Sequence, residues 1–170
     1  FAGTGAIGIE ALSRGADFAL FVDQSLEAGR LIEANLRTTI TKPRAAFARL
    51  NLATTTSLRP LQAHLPHGGR FELIIMDPPY RQDLVPRLLQ LIDNDDLLAA
   101  DGLVVAEEHF QVELPTTIGN LHSIPAPLTR SPSAISTSSS VAWRSLNASS
   151  SPWPSMPRRR RFFPWKNDAT

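Results

Sequence analysis

The sequence predicts an α/β fold, a parallel sheet with helices on both faces, and three observations predict it. Short apolar runs closed by acids, FALFVD at Phe18–Asp23 and FELIIMD at Phe71–Asp77, alternate with segments of helical periodicity. A G-x-G-x-x-G turn, Gly3–Gly8, opens the first helix. The third run, Leu103–Ala106, is again followed by acids, Glu107 and Glu108. Such alternation implies right-handed crossovers and ligands bound beyond the carboxyl ends of the strands.

Taken in order, the first glycine-rich turn leads to a short helix with Ile9 and Leu12 on one face and Gly15 as its cap. Phe18–Asp23 reads as a strand buried on both faces. Ser25 is the N-cap of a helix to about Arg37, with Leu26, Gly29, Ile32 and Leu36 along one stripe, and Pro43 marks the turn after it. Ala45–Asn51 is a weaker strand. Ser57 caps a helix to about Leu65 with Pro60 in its first turn, closed by His67, Gly68 and Gly69. Phe71–Met76 is the strongest strand pattern, and Pro78 and Pro79 end its pairing. Asp83 caps a helix carrying Leu84, Leu88, Leu91 and Ile92, and Asp101-Gly102 turns into the last strand.

The chain has 170 residues, 42% hydrophobic and 19% charged, which describes an ordinary globular domain able to bury one core. Without cysteine, disulfides, zinc-thiolate sites and thiol nucleophiles are excluded. No apolar run is long enough to span a membrane, and the opening residues do not read as a secretory signal, so a cytoplasmic protein is expected. The net charge of +1 hides a division near residue 121: residues 1–121 carry −5 and residues 122–170 carry +6. The second part holds 12 serines, half of the prolines, every tryptophan and no glycine, and it shows no regular periodicity. Residues 1–121 are therefore expected to form the folded module and 122–170 a disordered or non-native tail.

Two features bear on chemistry. The Gly3–Gly8 turn lets a backbone approach a nucleotide closely, and Asp23, about 20 residues on at a strand end, stands where such sheets place an acid against ribose hydroxyls. Either could be structural alone, but together they favour an adenosine-containing cofactor. Asp77-Pro78-Pro79-Tyr80 decides which one, because it sits where a parallel sheet exposes its active edge. A nicotinamide-dependent oxidoreductase would leave that tetrapeptide unexplained.

FAGTGAIGIEALSRGA followed by DPPY resembles the class I S-adenosylmethionine-dependent methyltransferases with a Rossmann-like sheet that act on exocyclic amines of bases. Within them it resembles most the RsmD-type family, which methylates a guanine amine in bacterial small-subunit (16S) rRNA. The resemblance runs from Phe1 to about Leu121. It implies S-adenosyl-L-methionine as cofactor, with Phe1, Ala2, Gly3, Thr4 and Gly5 along its methionine and ribose side and Asp23 on the ribose. Asn51 stands where the family has an acid facing the adenine amine. Asp77 and the Pro78 carbonyl would accept the hydrogens of the target amine, and Pro79 and Tyr80 would hold the base, Tyr80 by stacking. The implied partner is small-subunit rRNA or the assembling small ribosomal subunit, met by a monomer without metal or membrane. An adenine amine in DNA or RNA is the alternative substrate, and a catalytically inactive RNA-binding remnant is the alternative of another class.

His64 and His67 have a spacing that could ligate metal, but no third ligand is evident. No G-x-S-x-G elbow supports a serine hydrolase, and Glu107-Glu108-His109 reads as a solvated strand end. Arg158–Arg161 could grip phosphates but reads as a solvated run within the tail. The resemblance also implies a sheet incomplete at both ends. A central strand and its acid would precede Phe1, and a closing pair of strands would stand where the serine-rich tail follows, as a translated frameshift would produce. Two unpaired apolar edges, and marginal stability, are expected.

Overall fold

The computed structural model describes residues 1–39, 44–66, 69–124 and 138–145. Helix α1 (Ala6–Ser13) leads to strand β1 (Ala19–Asp23), α2 (Leu26–Thr39) and β2 (Ala45–Arg49). A 3-10 turn over Arg59–His64 precedes β3 (Phe71–Met76), α3 (Leu84–Asn94) and β4 (Leu98–His109). Three further strands follow, β5 (Thr117–Ile118), β6 (Leu121–Ile124) and β7 (Ser138–Ser145).

β1 pairs in parallel with β2, and β3 in parallel with β4, as the alternation requires. The rest is antiparallel, in the order β3-β4-β7-β6-β5, so the sheet is mixed. Among the described residues no ladder joins β1 to β3, and each stands at the edge of its own sheet. The two-sided burial expected of the first strand therefore fails: only Phe21 of β1 is buried. In β3, Leu73 and Ile75 are 47% and 40% exposed, an apolar edge without a partner.

The helices form for the reasons their sequences give. The Ser25 hydroxyl accepts the N–H groups of Glu27 and Ala28 at 3.2 and 3.4 Å, capping α2 as expected, although Leu26 of the predicted stripe is exposed. In α3, Leu84, Val85, Leu88, Leu89 and Ile92 are all buried, a stripe two residues wide that anchors the core. Asp83 does not cap it: its backbone is left-handed at φ +53° and its side chain makes no capping bond. After Ser57, whose hydroxyl accepts the Arg59 N–H, the chain forms a 3-10 turn in place of a longer helix. The expected ends of these segments at Pro43, His67 and Gly68 lie outside the described residues.

Two expectations are corrected around β4. Asp101-Gly102 does not turn the chain. Between the pairs Phe71↔Leu98 and Leu73↔Leu103 strand β3 advances two residues and β4 five, so the Asp-Gly pair is absorbed as an irregularity within one long strand. Nor is the strand end wholly solvated. Burial alternates along β4 through Gly102, Val104 and Ala106 to Glu108, which is 1% exposed.

The folded unit also extends past the expected boundary at Leu121. β7 fits between β4 and β6, pairing with seven residues of β4 from Leu103↔Arg144 to His109↔Ser138. Trp143 is completely buried, and its indole N–H donates to the Pro115 carbonyl at 3.3 Å. Val141 packs on the same core, so the serine-rich segment hides a short period-two pattern. The remainder of the tail, including Arg158–Arg161, lies outside the described residues.

Candidate active site

The carboxyl ends of β1 and β3 open on one cleft of about 500 Å³. Phe1, Gly3, Asp23 and Gln24 line one side of it and Asp77, Pro78, Pro79 and Tyr80 the other. The two motifs, more than 50 positions apart in the chain, are thus brought face to face.

The glycine turn is built for close approach. Gly3 and Gly5 have φ of +54° and +78°, which side chains disfavour. A Cβ on Gly5 would stand 2.8 Å from Ile32, so that glycine serves packing between α1 and α2. A Cβ on Gly3 would meet nothing within 4 Å, which leaves open space over its backbone. The Ala2 N–H donates to the Val22 carbonyl, and the Thr4 carbonyl accepts the Asn35 amide at 3.0 Å. Ala2, Thr4 and Gly5 thus hold the turn, while Phe1 and Gly3 face the cleft.

Asp23 ties this turn to the next helix. Its Oδ2 accepts the Gly3 N–H at 3.0 Å and its Oδ1 the Ser25 N–H at 2.9 Å. Burial alone would raise this carboxyl, but the N–H groups of Ser25, Gly3 and Gln24 outweigh it and hold it below the usual carboxylate range. Asp77 lines the same cleft as Asp23. Pro78 is fully buried, whereas Pro79 is exposed and Tyr80 half-buried.

Asn51 is not among the cleft-lining residues. It follows β2, is exposed, and its Oδ1 accepts the Ala53 N–H at 3.0 Å, while its carbonyl accepts from Thr54 and Thr55. His64 sits in the 3-10 turn and its expected companion His67 is outside the described residues. A second cleft of about 510 Å³, at the amino ends of β3 and β4, is lined by Gln62, Arg70, Glu72 and Asp96 among others, with none of the motif residues.

Sequence reasoning missed Gln24 in the cleft wall and misread Glu108, which is buried. Glu108 had a signal: it lies two and four residues beyond Ala106 and Val104, on the buried face.

The residue pattern of the family described as conserved hypothetical protein 95 matches residues 1–127. The chain belongs to this RsmD-type methyltransferase family. It resembles the Bacillus subtilis (strain 168) protein named "Putative rRNA methyltransferase YlbH", 40% identical over 121 residues, 71% of this chain and 63% of that one. It is 31% identical over 120 residues to the ribosomal RNA small subunit methyltransferase D of Escherichia coli (strain K12), 71% of this chain and 56% of that one. The chain therefore spans less than two thirds of these relatives. The solved structure of a "putative methylase" from Haemophilus influenzae shares the fold, with a TM-score of 0.67, 22% identity and coverage of 85% of this chain and 83% of that one. Among the described residues no helix is long and apolar enough to cross a membrane.

Proposed function

We propose that the cleft binds S-adenosyl-L-methionine against Phe1–Gly5 and Asp23 and directs it to the exocyclic amine of a guanine in bacterial small-subunit rRNA, free or in the assembling subunit. The observation that supports this most is the shared cleft, since it faces the glycine turn with Asp77–Tyr80. The residues suit the cofactor. Both Asp23 oxygens already accept one N–H, yet each keeps a lone pair for a ribose hydroxyl. The open space over Gly3 leaves room for close approach, and carboxylates on both sides favour a cation. When bound, this cofactor supplies a methyl group activated by a sulfonium.

The chain's own residues would do the rest. An exocyclic amine is a poor nucleophile because its lone pair is delocalised into the ring. The Asp77 carboxylate and the Pro78 carbonyl, accepting its two hydrogens, would orient the nitrogen and favour its tetrahedral form. Pro78 lines the cleft, and its nitrogen carries no hydrogen that would compete for a partner. Once the nitrogen had taken the methyl group, with the methyl–sulfur bond broken and the rest of the cofactor left as a neutral thioether, one amine proton would be acidic and would pass to Asp77 or water. Tyr80 would stack the extruded base, a contact of about 1–3 kcal/mol. The name of the Escherichia coli relative favours small-subunit rRNA as the substrate.

Transfer of labelled methyl from the cofactor to small-subunit rRNA, assembled subunits and duplex DNA tests this reading. Label recovered as methylguanine in rRNA supports it; label in adenine alone, or no transfer to any RNA, contradicts it. Asp77→Ala should lower transfer by about a hundredfold or more while lowering cofactor affinity by no more than about tenfold, the part its charge adds.

A further inference from the structure

Glu108 is the one charged side chain fully buried among the described residues. Its Oε1 accepts two backbone N–H groups, from Arg81 at 3.0 Å and from His109 at 2.7 Å. One carboxylate thus clamps the loop after Tyr80 to the end of β4, and it holds Arg81 at φ +61°, where side chains are rarely found. The residues so fixed form a continuous ledge. The His109 ring meets Tyr80 edge-on at 6.4 Å and stacks on Phe110 at 4.8 Å, inclined by 30°. A guanidinium nitrogen of Arg81 lies 3.0 and 3.2 Å from the two ring nitrogens of His109 and donates to the Gln111 Oε1 at 2.7 Å. Phe110 is 41% exposed, so the core does not account for it.

We propose that His109 and Phe110 form a second base-stacking subsite, taking the nucleotide next to the one at Tyr80, with Arg81 against the phosphate that links them. This rests on the reading of the cleft as a site for an RNA base. An exposed ring beside a fixed cation suits a base joined to a phosphodiester better than an apolar protein surface, which offers nothing to the guanidinium. Two successive bases can lie on separate rings only when both have left their helical stack. The substrate is therefore an unpaired or splayed RNA segment and not an intact duplex.

Fluorescence anisotropy with the full chain and a short labelled single-stranded RNA holding one guanine tests this. The same RNA is made abasic at the guanine or at either neighbouring position. Wild type should lose about fivefold or more in affinity when one particular neighbour is abasic. Phe110→Ala should lose a similar factor on intact RNA and no longer distinguish the abasic neighbour, while Phe110→Tyr should behave as wild type. Because Phe110 is at the surface, circular dichroism of the variants should match wild type. An equal abasic penalty in wild type and Phe110→Ala overturns the subsite and leaves the cleft reading intact if removal of the guanine still weakens binding. Binding indifferent to the guanine, or no binding, overturns the cleft reading and the ledge with it.

Discussion

Asp23 has a structural task and, in the proposed function, a binding one as well. Its two oxygens fix the glycine turn and the start of α2, and those same N–H groups keep it ionised. Asp95 is held below its usual range in a similar way: burial raises it, but the N–H of Leu58, the Ser57 hydroxyl and Arg59 outweigh that. Both pKa values lie lower in the folded chain than in the unfolded one, so both carboxylates add stability above the unfolded value, about 3.9. That stability is lost as pH falls through this value toward the lower folded ones. The melting temperature should accordingly drop between about pH 5 and pH 3, and Asp23→Asn should show a shallower drop; an identical slope would contradict the assigned bonds. Asp23→Ala should also weaken cofactor binding about tenfold in calorimetry, the loss expected when a charged acceptor is withdrawn from hydroxyl donors.

At the scale of elements, β7 tests how the tail contributes. Its Trp143 fills the core beside Leu121, Ile118 and the α3 stripe, and its backbone covers the edge of β4. Trp143→Ala should cost about 3–5 kcal/mol, read from denaturant unfolding. If Trp143→Ala leaves the midpoint unchanged, β7 is not part of the core. This element was hard to read in the sequence because serines occupy the positions around Val141 and Trp143, and composition outweighed a two-residue alternation. FELIIM and the Ser25 cap were legible because each carries its own local reason, β-rich apolar residues in one and a hydroxyl ahead of free N–H groups in the other. Glu108 was misread because its burial depends on register across β4 and on the loop it clamps, neither of which is local. Asp83 likewise carries the right chemistry for a cap, but the chain reaches it through left-handed residues, Arg81 and Asp83 itself.

For the molecule as a whole, what joins the two sheets matters most. With no ladder between β1 and β3 among the described residues, the sheets are joined by core packing of Ala48, Leu20 and Val22 and by the loop after β2, which Arg87 grips through the carbonyls of Leu52 and Thr55 and Asp95 through Ser57 and Leu58, over buried Leu58 and Leu61. Asp95→Ala would leave the buried Leu58 N–H without its acceptor and should cost about 1–3 kcal/mol in chemical denaturation. The exposed Leu73 and Ile75 of β3 should make the chain aggregate on mild heating. Replacing both with lysine should suppress that aggregation in light scattering, and unchanged scattering would place the sticky surface elsewhere. The same arrangement leaves the carboxyl ends of β1 and β3 facing one cleft, and the functional reading depends on that. Titration of the isotope-labelled chain with S-adenosyl-L-methionine, followed by amide NMR, tests it most directly. The largest shifts should fall on Gly3, Asp23, Gln24 and Tyr80, whereas shifts confined to the cleft around Arg70 and Asp96, or none at millimolar cofactor, would contradict it.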